Sequence, residues 1–309
     1  MTRTTPPSAV DIAALIPELM PLARPVVRLH PRPGSAGPRI SSVGGPFLWP
    51  ANEPWPVCST SEHHASLWRT NNDPRPLNAR DNEFPLAGIL QLFAADVPEL
   101  PFPTNTDLLQ VLWCPFQETH YPVEPVLVWR DSTQITETLD VFPNPHPLAD
   151  DEVLPRCCTL DPERIVEYPN SDVPGDLKER VWAAAHQIEA ETGWKFHYHL
   201  SSAPGLKVGG YPGWTQEPCW PDCPGCGRTM DHLLTIPSGE CNGESWRRWI
   251  PLEDGAAGDK SSARTDADLE ARNAIWFPTD MTFGDMGGVY LFVCTDCPDM
   301  PYAHWFDCS

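Results

Sequence analysis

Basic residues are scarce in this chain: 21 Lys and Arg stand against 42 Asp and Glu, a formal charge of −21. That balance opposes counterion-release binding to phosphates and attraction to anionic lipid, so neither nucleic acid nor a membrane is expected as a partner. Long apolar runs are missing too. Asp11, Pro17 and Glu18 interrupt the N-terminal segment, so no signal peptide is expected, and no stretch reads as a membrane span. The sequence lacks a G-x-S-x-G elbow, a P-loop and a G-x-G-x-x-G fingerprint, which removes the commonest hydrolase and nucleotide-binding signatures. Eleven cysteines in 309 residues are too sparse for a disulfide scaffold. Their C-x-x-C spacings instead suggest metal chemistry in a reducing compartment, and a cytoplasmic location is expected.

Proline is abundant. Thirty-eight prolines limit uninterrupted helices and central strands, because each removes a backbone donor and fixes φ; a coiled coil, a helical bundle or a TIM barrel is not expected. Residues 1–40 read as a short helix around Val10 to Leu19 followed by an irregular arm over Arg24 to Arg39. The clearest helix is predicted over Leu177 to Thr192, with a D-x-x-E capping pattern at Asp176 and Glu179 and a stop at Gly193. Strands are predicted over Leu86 to Phe93, Leu108 to Trp113, Val123 to Trp129, Arg164 to Tyr168, Trp194 to Leu200, Leu233 to Ile236 and Val289 to Cys294. A stretch near 253–273, rich in Gly, Ala, Ser and Asp, reads as a mobile loop or insertion.

A shift of 165 residues lays one half of the chain over the other. Val43, Gly44, Gly45, Trp49, Trp55, Pro56 and Cys58 fall on Val208, Gly209, Gly210, Trp214, Trp220, Pro221 and Cys223. Trp and Cys are rare, so this pattern points to duplication, against the alternative of two unrelated Gly/Pro/Trp-rich loops. The expected fold is therefore α+β: a strand-rich mixed fold of two duplicated halves, 41–170 and 171–309, built on antiparallel sheets with few helices.

The strongest chemical signal is Cys223-Pro-Gly-Cys226, answered by Cys294-Thr-Asp-Cys297. Two such knuckles are the spacing by which short turns present thiolate pairs to a tetrahedral zinc ion, and four thiolates make a closed, structural site. The 67 residues between them exceed the usual interval, so the fold has to bring the knuckles together. Reduced core cysteines and redox activity are the competing readings. Cys219, Cys241 and Cys308 stand as reserve ligands, and His232 is the nearest candidate for an open, catalytic zinc. The His63-His64 pair and the His197-x-His199 pair are weaker metal signals; on a strand the latter two would share a face. Asp285, in Phe283-Gly284-Asp285-Met286-Gly287-Gly288, reads as a turn residue before a strand rather than a catalytic carboxylate. Trp246, Arg247, Arg248 and Trp249 form a compact patch of residue types common at interfaces, with sheet-edge covering as the plainer alternative.

Several ordered motifs resemble the YwqG-like family of bacterial proteins. Ser41 to Pro50 (SSVGGPFLWP) is similar to that family's S-K-x-G-G-x-P-x-x-P opening, with Ser42 at the usual lysine. Leu86 to Leu100 and Asp107 to Val111 resemble its two following strands. Gly209-Gly210-Tyr211-Pro212-Gly213-Trp214-Thr215-Gln216 resembles its G-Y-P-x-x-x-Q, and Gly284 to Phe292 its G-D-x-G-x-x-Y-x-F. The resemblance spans about residues 40–300. It implies a strand-rich fold of two related halves, and a wider grouping that includes programmed cell death protein 2, whose members are thought to act as chaperones for a ribosomal protein. Bacterial members are proposed to be toxin-neutralising immunity proteins. The expectation is thus a non-enzymatic, cytoplasmic protein-binding module with a structural zinc and a basic protein partner. A zinc-dependent hydrolase using His232, His199 or Asp285 is the alternative.

Overall fold

The computed structural model describes residues 2–59, 83–116, 123–145, 147, 149–261 and 263–308. The chain forms two compact units, one of residues 33–159 with 279–281, the other of residues 1–32, 160–278 and 282–309. The described strands, in chain order, are β1 (Arg24–Arg28), β2 (Arg32–Pro33), β3 (Ser42–Val43), β4 (Val57–Cys58), β5 (Phe84–Pro85), β6 (Ala87–Phe93) and β7 (Leu108–Trp113). They continue as β8 (Pro125–Arg130), β9 (Cys158–Thr159), β10 (Glu163–Glu167), β11 (Lys207–Gly209), β12 (Asp231–Pro237), β13 (Gly288–Val293) and β14 (Tyr302–Asp307).

The first-half unit carries a six-stranded sheet of order β2-β9-β3-β6-β7-β8 and the small β4-β5 pair. The second-half unit carries a six-stranded sheet of order β10-β1-β11-β12-β13-β14, antiparallel throughout. In each sheet a long strand bulges near its start, between Gly88 and Leu90 in β6 and between His232 and Leu234 in β12. Strands β7 and β13 are buried at all six positions. Burial on both faces explains why LLQVLW and GVYLFV read as continuous apolar runs and not as alternation. The one strongly polar side chain among them, Gln110, donates from Nε2 to Leu48 O at 3.0 Å, so its burial leaves no amide donor stranded.

The predicted helix spans Gly175–Thr192 and buries Val181, Ala185 and Ile188 against Val10, Ile12, Leu19 and Phe196. Gly193 ends it in the left-handed region at φ 72°, which glycine adopts without a Cβ penalty. The expected capping pattern does not form. Pro174 occupies the cap with no side-chain bond, and Asp176 lies inside the first turn, where its charge still favours the helix dipole.

Three further expectations differ from the structure. Phe196–Leu200 is a π-turn, not a strand, because Lys195 N donates to His199 Nδ1 at 2.8 Å and coils the segment. The arm expected to be irregular contains β1, whose Val26 and Val27 are buried between β10 and β11; neighbouring strands override its weak local signal. The stretch near 253–273 is built of a 3-10 segment, Leu252–Gly258, and a helix, Asp266–Trp276, started by a Thr265/Asp268 capping box. Among the described residues no helix is long and apolar enough to cross a membrane.

Candidate metal centre

The register of β12 against β13 sets Asp231 opposite Val293. The loop entering β12 and the loop leaving β13 therefore meet at one end of the sheet, which is how knuckles 67 residues apart converge. In the first knuckle Cys223 N donates to Arg228 O and Gly227 N to Cys223 O, both at 2.8 Å, closing a tight turn that Gly227 allows with φ 71°. In the second, Cys294 N donates to Pro301 O at 2.9 Å and Met300 N to Cys297 O at 2.9 Å, shaping the β13–β14 connection.

Cys223, Cys226, Cys294 and Cys297 come together, their Sγ atoms all within 4.8 Å of one another. The closest pairs are Cys223–Cys297 at 3.7 Å and Cys226–Cys294 at 3.6 Å. Four sulfurs about 2.3 Å from a tetrahedral ion would lie about 3.8 Å apart, so these separations fit a metal ion. A Cβ at Gly225 would stand 3.3 Å from Cys297 Sγ, a tight approach, and 3.6 Å from Cys223 Sγ, an ordinary contact. Desolvation opposes ionisation of Cys223, but the amide groups of Cys226 and Gly225 outweigh it and bring the thiol down to about 7. Hydrogen bonds from the neighbouring thiols, with burial, push Cys297 up to about 12. One sulfur thus ionises readily while the crowd resists further negative charge, the state a divalent cation relieves.

An ion pair crosses the centre, Arg228 Nη1 to Asp296 Oδ2 at 2.8 Å, and Thr295 Oγ1 donates to Asp231 Oδ2 at 3.3 Å. Sequence reasoning missed both. The signal was the opposite charges beside the two knuckles, Arg228 after one and Asp296 inside the other.

The other candidates fall elsewhere. His232 is spoken for: Nδ1 lies 2.9 Å from Gly209 O and Nε2 2.9 Å from Thr235 Oγ1, and desolvation holds it down at about 3. His199 is likewise committed, accepting from Lys195 N and lying 3.1 Å from Glu244 O. The π-turn separates it from His197, which meets Asn170 Nδ2 at 2.7 Å on the wall of a cavity of about 500 Å³. Asp285 is exposed in a turn between Gly284 at φ 54° and Met286 at φ 59°. Cys219 packs beside the centre without joining the four thiols, Cys241 lies in a separate core cluster, and Cys308 is outside the group. The His63-His64 pair lies outside the described residues.

The glycine pairs do structural work. Gly44, Gly209 and Gly210 have φ of 60°, 71° and 68°, whereas Gly45 is ordinary. Gly210 passes against the Glu167 carboxylate, which accepts from Tyr211 N at 2.5 Å and pairs with buried Lys207 at 2.9 Å. Trp214 donates to Asp172, and Gln216 Nε2 to Cys308 O at 2.7 Å. In the WRRW segment Trp249 is buried and donates to Tyr198 O at 2.8 Å, Trp246 is half-buried, and Arg247 is exposed.

Fold and site together define a strand-rich α+β protein with a four-cysteine centre. The chain belongs to a family described as a domain of unknown function (DUF1963), whose model matches residues 41–296. No curated protein matches it.

Proposed function

We propose that the chain is a non-enzymatic protein-binding module whose second half is stapled by a structural zinc ion. The observation that carries this reading is the four-thiol cluster: with all four positions taken by cysteine, a bound ion has no open site for water or substrate. The groups a zinc hydrolase would need, His232, His199 and Asp285, are bound to other partners or stand exposed in a turn.

Duplication is part of the proposal. Each sheet holds four neighbouring strands in chain order, β3-β6-β7-β8 in one and β11-β12-β13-β14 in the other. Each core also gathers two tryptophans with cysteines, Trp49 and Trp55 with Cys58 and Cys114 in one, Trp214 and Trp220 with Cys219, Cys223, Cys294 and Cys297 in the other. The Cys58 and Cys114 thiols share a hydrogen bond that, with burial, holds Cys114 well above the usual thiol range. One half would then keep two cysteines where the other keeps four. The resemblance to YwqG-like proteins supports the same reading.

The partner we propose is a basic protein, a toxin occluded by an immunity protein or a client shielded by a chaperone, drawn to a chain of charge −21. A native mass spectrum of the tagged chain isolated from its own host in non-chelating buffer tests both parts. The expected result is a mass raised by one zinc with a stoichiometric basic protein attached. A metal-free, partner-free chain contradicts the proposal.

A further inference from the structure

Arg248, in the short helix Trp246–Trp249, is a shielded cation without a counterion. Its Nε and Nη1 have no hydrogen-bond partner and almost no accessible surface, which leaves Nη2 as the donor a ligand can reach, and no ion pair reaches the side chain among the described residues. The charges around it are taken. Arg28 donates to Thr5 Oγ1 at 2.8 Å and to Trp249 O at 3.0 Å and stands 4.0 Å from Glu240. Glu163 accepts from Thr5 N at 2.6 Å and pairs with His30 at 2.9 Å. The Trp249 ring sits 4.5 Å from the Arg248 guanidinium and fixes its position. Desolvation, with Arg28 nearby, pulls Arg248 down to about 10, well above neutral pH, so it stays charged.

The side chain lines a cavity of about 300 Å³, at the small end for ligand sites. Val10, Ile12 and Leu200 give it an apolar wall. The polar groups along that wall are largely spent: His199 as described, Ser8 donating to Val10 O at 2.7 Å and Ser201 to His197 O at 3.1 Å. Asp11, the one carboxylate there, caps the adjacent helix by accepting from Ala14 N at 3.1 Å. Tyr168 also lines the cavity, and its hydroxyl makes no hydrogen bond among the described residues.

We propose that this cavity binds a small monocarboxylate, its carboxylate on Arg248 and its short apolar body on Val10, Ile12 and Leu200. One cation beside an apolar wall suits one negative charge; a phosphate dianion would bury charge that nothing offsets. The acid is either a free metabolite or the C-terminal carboxylate of a polypeptide, since both offer the same group.

Titration calorimetry on the full chain tests this with hexanoate, hexanamide, and a tripeptide ending in leucine as free acid or as amide. Each acid is expected to bind about 10- to 100-fold more tightly than its amide, the scale of a charged hydrogen bond. Whichever acid binds more tightly names the source. Arg248→Met is expected to abolish binding while raising the unfolding midpoint, because it removes an unpaired shielded charge; Arg247→Met, on the exposed side of the same helix, is expected to bind normally. Equal binding of acid and amide, no binding by either acid, or unchanged binding by Arg248→Met overturns the proposal. Should Arg248→Met fail to fold, the acid-against-amide comparison on the unaltered chain still decides it.

Discussion

Single residues hold this structure through buried polar contacts. Gly210 is the sharpest case: its φ of 68° and its approach to the Glu167 carboxylate leave no room for a Cβ. Gly210→Ala is expected to cost about 2 kcal/mol or more, from backbone strain and displacement of a buried ion pair. Gly213→Ala, where a Cβ meets nothing within 4 Å and φ is not positive, is expected to be near neutral. Denaturant titration of both variants checks the contrast. Titration of buried histidines is expected to appear as well. Desolvation lowers His232 from 6.5 to about 3 and, together with Arg28, lowers His30 from 6.5 to about 4. Between pH 6.5 and those values the unfolded chain binds the protons that the folded chain refuses, so stability falls as pH falls through this window. His232→Asn is expected to flatten the fall, measured as unfolding midpoint against pH.

Among the elements, the legible ones were those whose local signal and tertiary environment agree. The helix Gly175–Thr192 announced itself through apolar spacing and Gly193, and β7 through the short run LLQVLW, apolar at all but Gln110. The π-turn at Phe196–Leu200 was hidden because its stretch mixes polar and apolar side chains as a half-buried strand would, while the bond that coils it depends on His199. The helix Asp266–Trp276 was hidden because only its last turn buries apolar residues, Ile275 and Trp276. For the metal centre, the ligand identities were readable from the two knuckles, but their meeting was not: it depends on the β12–β13 register. At this scale the first knuckle is expected to depend on metal. Chelation at neutral pH is expected to remove about 4 kcal/mol of stability if free zinc had stood near 1,000 times Kd, lowering the melting temperature by roughly 10 °C. Scanning calorimetry with and without chelator measures it.

At the level of the whole molecule, the chain carries two six-stranded sheets, each with four neighbouring strands in chain order; four thiols gather at the end of one, and Cys58 and Cys114 pack together in the first-half unit. If the proposed basic partner is drawn by the charge of −21, its association is expected to slow as salt rises, measured as the association rate against ionic strength. The central claim is the closed four-sulfur centre, and X-ray absorption at the zinc edge of the purified chain tests it most directly. The expected result is one zinc per chain, four sulfur neighbours at about 2.3 Å and no nitrogen or oxygen neighbour, with the signal lost in Cys226→Ser. A first shell containing nitrogen or oxygen, or a chain that takes up no zinc, would contradict it.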